Sequence, residues 1–157
     1  YLPAEQIIRM MPNTPVAIGQ GMTTFATSKA ENARLFEDLM AQSGQVKQLP
    51  ENLMDAATAI AGCGPAFIYE LIEAMTAAGI QNGLTAQVAQ DLASQTVLGA
   101  AQMVLESDQH PAQLRDQVTS PGGSTIAGLV ALTQAGFQAA TIQGVNQALE
   151  RTKELGQ

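Results

Sequence analysis

The stretch Ser120-Pro121-Gly122-Gly123-Ser124-Thr125 has the parts of an anion cradle. Pro121 fixes one φ angle, and the two glycines after it reach backbone conformations closed to other residues. Ser124 and Thr125 lead into an apolar helical pattern through Ile126, Leu129, Val130 and Leu132. Such a loop delivers unpaired backbone N–H groups onto a helix N-terminus, whose partial positive charge suits a small carboxylate or phosphate. The plainer reading of the same residues is a helix–helix turn with a Ser or Thr cap.

Other chemistry-bearing residues are sparse. Glu51, Glu70, Glu73, Asp108 and Asp116 show no spacing of a catalytic pair and suit a solvated face. Asp108 stands apart because it precedes the short helix that leads to the loop. A carboxylate there either stabilises the helix start or contacts a ligand. Cys63 and His110 are the only residues of their kinds, so no intrachain disulfide and no ordinary zinc site is expected. A small buried thiol is the expectation for Cys63, since a Cys63–His110 catalytic pair needs a proximity that spacing does not supply. Gly19-Gln20-Gly21 lacks the third glycine of a dinucleotide-binding loop, since Thr24 stands in its place and no helix opens there.

The elements that must position these residues are mostly helical. Residues 1–27 are the convincingly strand-like part, with β-capable runs Val16–Ile18 and Met22–Ala26. Ser28 and Glu31 have capping-box spacing for a helix through Leu35, Phe36, Leu39 and Met40 that stops at Gly44. Val46–Leu49 reads as one more short strand. Helices are then expected over Leu53–Ala61, from Pro65 to between Gly79 and Gly83, from a Thr85 cap to Ser107, from Pro111 to near Val118, after the loop to Gly136, and from Phe137 onward. From Ser28 the coarse expectation is about six helices and at most one short strand. The Thr85–Ser107 helix is apolar over more than half its circumference, which calls for a large core or a partner subunit.

Composition narrows the class. The 157 residues suffice for one ordinary core, and they are 46% hydrophobic but only 4% aromatic, with no Trp. Close-packed helices suit that mixture better than a sandwich or barrel. Seven basic residues against fourteen acidic ones give a net charge of −7, which repels nucleic acid. No apolar run approaches a membrane span and no secretory signal is visible, so the expectation is a cytoplasmic protein without a membrane partner. The numbering opens on Tyr1 in the middle of a pattern of late sheet elements, so a fragment is expected.

Three separated motifs carry a resemblance over nearly the whole chain. They are Arg9-Met10-Met11-Pro12-Asn13-Thr14-Pro15, then Gly62-Cys63-Gly64-Pro65-Ala66-Phe67, and Val118-Thr119-Ser120-Pro121-Gly122-Gly123-Ser124-Thr125-Ile126. In order and spacing they resemble the carboxyl-terminal part of the pyrroline-5-carboxylate reductases, and Gly136-Phe137 with Arg151, Glu154 and Leu155 continues the likeness. Cys63 stands where that family usually has Ser, and Asp108 where some members have Glu.

The resemblance implies a mainly α fold: a helical dimerisation domain like the carboxyl-terminal domain of 6-phosphogluconate dehydrogenases, preceded by a short β remnant of a Rossmann domain. Residues 1–49 would be that remnant, and residues 50–157 the helical dimerisation and substrate-binding domain. It further implies reduction of 1-pyrroline-5-carboxylate to L-proline with NADPH or NADH, in a homodimer or a ring of dimers. The main cofactor residues would lie outside this chain. By position, the substrate carboxylate would rest on backbone N–H groups of Gly123, Ser124 and Thr125, with Ser120 and Gly122 shaping the loop. Thr125 would act catalytically near the imine nitrogen, and Asp108 would approach it from the partner subunit. Glu51 would lie near the substrate, and Gln117 near the cofactor. Asn13 is placed toward the cofactor as well, although a turn-forming role explains it equally. A non-catalytic dimerisation module that binds a small carboxylate is the alternative. A hydroxy-acid dehydrogenase would need a lysine on a core helix, and Lys29, Lys47 and Lys153 do not provide one.

Overall fold

Three strands and seven α-helices succeed one another in the computed structural model, which describes residues 3–156. Strands β1 (Arg9–Met11), β2 (Gly21–Ala26) and β3 (Gly44–Gln48) make one small sheet with β2 in the centre. β1 runs antiparallel to β2, with Arg9 opposite Ala26 and Met11 opposite Thr24. β3 runs parallel to β2, with Gly21 opposite Gly44. A parallel pair needs a crossover, and α1 (Ala30–Met40) supplies it. Its Phe36 meets the fully buried Phe25 of β2, the ring centroids 4.7 Å apart, and Ala33, Ile8, Met40 and Val46 complete the cluster. Burying each of these large side chains contributes about 1.5–3 kcal/mol.

Three local expectations fail here. Val16–Ile18 is not extended: Thr14–Ile18 forms a 3-10 helix that ends at Gly19. Pro15 sets the φ angle of that turn, and local geometry outweighs the β-branched residues. The capping box at Ser28 does not form either. Lys29 is the N-cap of α1 without a side-chain bond, and Glu31 turns toward Lys29 Nζ at 3.7 Å. The helix also ends at Met40, and Gly44 opens β3 instead.

Beyond the sheet, a 3-10 turn (Glu51–Leu53) runs into α2 (Met54–Ala57) and a π-helical turn (Thr58–Gly62). Met54 is fully buried. Then come α3 (Gly64–Gln81), α4 (Ala86–Glu106), α5 (Pro111–Gln117), α6 (Ser124–Gln134) and α7 (Phe137–Leu155). Thr85 caps α4 as expected, its Oγ1 accepting the Val88 N–H. From Ser28 there are therefore seven α-helices and one strand among the described residues, near the coarse expectation of about six helices.

The chain divides into two compact units. One holds the described residues up to Phe67 together with Ile142 onward, and the other is Ile68–Thr141. The first unit thus takes in α2 and the start of α3, beyond the boundary expected after residue 49. Both passages between units fall inside helices, one in α3 and one in α7. In the second unit α3 and α4 meet through small residues: a Cβ on Gly79 would stand 2.8 Å from that of Ala89. Ala89 and Ala93 are the only buried residues among those described there. Leu98, Met103 and Leu105 of α4 stay 57%, 56% and 80% exposed. The wide apolar arc of α4 is thus left uncovered by its own unit. No single helix is long and apolar enough to cross a membrane among the described residues.

Candidate functional site

Both ends of α5 are fixed by side chains. At its start His110 is the N-cap, with Nδ1 accepting the Ala112 N–H at 3.2 Å. Gln113 Oε1 accepts the His110 N–H in return at 2.9 Å, and Pro111 takes the first helical position. The lone histidine is thereby committed to local structure. At the far end Thr119 Oγ1 donates to the Arg115 carbonyl at 2.7 Å. Gln117 Nε2 donates to Gln109 Oε1 at 2.6 Å and so ties the two ends together. Gln109 escaped the sequence reading; two glutamines flanking a seven-residue helix were its only sign.

The loop after α5 then makes a tight turn. The Gly123 N–H donates to the Ser120 carbonyl at 3.1 Å across Pro121 and Gly122, and Gly122 has φ +69°. Proline followed by a left-handed glycine is the signature of a type II turn. Gly123 is extended and is the N-cap of α6, with no capping side chain. The first backbone bond runs from the Ala127 N–H to the Gly123 carbonyl at 3.4 Å. The N–H groups of Ser124, Thr125 and Ile126 therefore begin the helix without an intrahelical partner. All three residues are exposed. Thr125 is the second helical residue and does not act as the cap, so the capped-turn reading of the loop does not hold. A Cβ on Gly123 would lie 2.5 Å from Ser120 Oγ, so any larger residue there must displace the serine side chain. Beside the loop a cleft of about 330 Å³ runs past Thr119, Ile126 and Leu129, with the Arg115–Asp116 ion pair on its rim.

Six of the expected site residues, Gln117, Ser120, Gly122, Gly123, Ser124 and Thr125, thus fall on one short segment. Asp108 does not join them directly. It is exposed in the turn before α5 and makes no ion pair or side-chain hydrogen bond among the described residues. It and the loop flank opposite ends of a helix about 10 Å long.

Glu51 and Asn13 belong to the other unit, and the sheet separates them. Glu51 Oε1 pairs with Arg9 where β1 begins, and Asp55 Oδ1 binds the same guanidinium at 2.8 Å. These hydrogen bonds, Glu51 first, raise the pKa of Arg9. Asn13 lies beyond the other end of β1, its Oδ1 accepting the Met22 N–H at 2.9 Å and its Nδ2 donating to the Ala61 carbonyl at 3.0 Å. Gly19 closes the 3-10 helix and Gly21 opens β2, so the pair leads into a strand rather than out of one, the reverse of a dinucleotide loop. No group of three His, Cys, Asp or Glu side chains could hold a metal among the described residues.

Comparison with known proteins shows the family and the fold. A family model described as pyrroline-5-carboxylate reductase dimerisation matches residues 51–155. A pyrroline-5-carboxylate reductase of a Synechocystis species is 46% identical over 98% of this chain and 59% of its own length. The crystal structure of Plasmodium falciparum pyrroline carboxylate reductase with NADP bound superposes with a TM-score of 0.90 at 36% identity, over 96% of this chain and 62% of that one. The Coxiella burnetii pyrroline-5-carboxylate reductase also gives 0.90, at 38% identity over 95% and 57%. The chain spans half to three-fifths of the length of the curated relatives it matches.

Proposed function

The chain belongs to the pyrroline-5-carboxylate reductase dimerisation family, and from that premise we propose that it is the substrate-binding, self-associating part of an NADPH- or NADH-dependent pyrroline-5-carboxylate reductase. The observation that carries the proposal is the uncapped start of α6. Three unpartnered N–H groups point out of a helix N-terminus, held open by a Pro-Gly turn and by the missing side chain of Gly123.

The substrate is a cyclic imine bearing a carboxylate. Its carboxylate accepts hydrogen bonds from the Ser124, Thr125 and Ile126 N–H groups, where the helix dipole favours negative charge. The ring carbons lie along the cleft lined by Ile126 and Leu129. A reduced nicotinamide, when bound, supplies the hydride that adds to the imine carbon. The nitrogen must then gain a proton, and the Thr125 hydroxyl is the group of this chain placed to position that transfer. Gln117 faces the cofactor with its amide held by Gln109. Asp108 approaches the nitrogen from a partner subunit, since its own loop lies beyond α5. Glu51, expected near the substrate, keeps an exposed carboxylate that also pairs with Arg9.

The test is turnover of 1-pyrroline-5-carboxylate by the full-length polypeptide that carries this chain, followed by loss of reduced-nicotinamide absorbance. Turnover abolished by Thr125→Ala and largely restored by Thr125→Ser supports the reading. A folded dimer that binds small carboxylates yet never turns over favours the non-catalytic module.

A further inference from the structure

Asn13 sits at a point where two backbone ladders fail at once. The β1–β2 register pairs Arg9 with Ala26 and Met11 with Thr24, so its continuation would set residue 13 against Met22. The backbone cannot continue, because it turns into the 3-10 helix at Thr14–Pro15. Instead the Asn13 side chain takes the rung, its Oδ1 accepting the Met22 N–H at 2.9 Å. This explains why Asn13 precedes that 3-10 helix without capping it.

The second failure lies in the helix that follows α2. The π turn closes with the Cys63 N–H on the Thr58 carbonyl at 3.0 Å, and α3 begins one residue later. In a continuing α-helix the Ala61 carbonyl would receive the N–H of residue 65. That residue is Pro65, which has none. The vacancy is filled by Asn13 Nδ2, which donates to the Ala61 carbonyl at 3.0 Å. Beside this carbonyl Gly62 leaves room for Met11 of β1, since a Cβ there would stand 2.9 Å from Met11 Cε. A half-buried carbonyl without a donor is costly, so the substitution is more than ornamental.

We propose that Asn13 is a positioning residue, coupling the end of β1 to the proline-interrupted start of α3 by supplying one acceptor and one donor that the backbone lacks. The amide is the only neutral side chain of this length with both functions; aspartate keeps the acceptor but turns a second oxygen toward the Ala61 carbonyl. The motifs around Asn13 and around Pro65, fifty residues apart, are thus two halves of one device. The inference does not depend on which reaction the chain serves.

The test is a double-mutant cycle on the whole chain with amide exchange as the second readout. Asn13→Ala should speed exchange of the Met22 amide by about tenfold or more and raise the unfolding constant by a similar factor. Pro65→Ala returns an N–H to the Ala61 carbonyl, so Asn13→Ala should cost clearly less stability in that background, while Met22 exchange stays fast. If Asn13→Ala does not fold, the double variant should. Equal losses in both backgrounds, an unfolded double variant, or an unchanged Met22 amide would each overturn the proposal. A cofactor contact at Asn13 predicts the opposite pattern: normal Met22 exchange and stability, with weakened nucleotide binding in the full-length polypeptide.

Discussion

Ser120 and Gly123 share one small volume: the serine hydroxyl stands 2.5 Å from where a side chain on Gly123 would begin. The Gly123 backbone is extended, with φ −77° and ψ 172°, so any residue could adopt it. What excludes a larger residue is the hydroxyl across the turn. Gly123→Ala should therefore displace Ser120 and narrow the approach to the α6 N–H groups. We expect KM for the carboxylate substrate to rise roughly ten- to a hundredfold, with a nearly unchanged melting temperature. Adding Ser120→Gly should recover part of the loss; a KM unmoved by Gly123→Ala would remove the cradle from this loop.

Thr125 offers a cleaner separation of chemistry from stability than its sequence promised. The N-cap of α6 is Gly123, so Thr125→Ala removes no cap. Its folding free energy should change by less than about 0.5 kcal/mol. If the hydroxyl positions the proton at the imine nitrogen, kcat should fall about 10²-fold, with Thr125→Ser recovering most of it. A full-speed alanine variant would move the chemistry elsewhere.

The second unit buries two alanines and leaves Leu98, Met103 and Leu105 largely open. Self-association should cover such faces, at about 25 cal/mol per Å² of apolar surface. The chain should then scatter light as a dimer at tens of micromolar. Its melting temperature should climb by a few degrees for each tenfold rise in concentration. A monomer with a concentration-independent midpoint would contradict this.

Arg9 holds two carboxylates, but all three side chains are at least one-third exposed. Solvent screening dominates there. Arg9→Gln should cost less than about 1 kcal/mol, and the difference should shrink as salt is added. A much larger, salt-insensitive loss would mean that the pair is buried in the assembled protein.

The helices were readable because their ends are written in residues with one mechanism each: Thr85 as a cap, Pro65 and Pro111 at first turns, Gly136 as a stop. The turn at Pro121-Gly122 was readable for the same reason. What stayed hidden depends on local choices between partners or on groups far apart in sequence. Nothing near Ser28 says that Glu31 will choose Lys29 over the backbone. His110 gave no hint of capping, because a ring nitrogen is an uncommon cap. The roles of Asn13 and Gln109 exist only once Ala61 and Gln117 arrive beside them. The exposed pairing of Glu51 with Arg9 was hidden for the same reason.

The two compact units are joined twice, at Phe67–Ile68 and at Thr141–Ile142, and each junction lies within a helix. A protease seeking an exposed, extended strand of chain finds none at either crossing. Limited digestion should trim termini and nick the loop around Pro121 before it severs one unit from the other. Genetic dissection meets the same obstacle: any truncation that isolates the loop-bearing unit must cut two helices in mid-course and expose their broken ends.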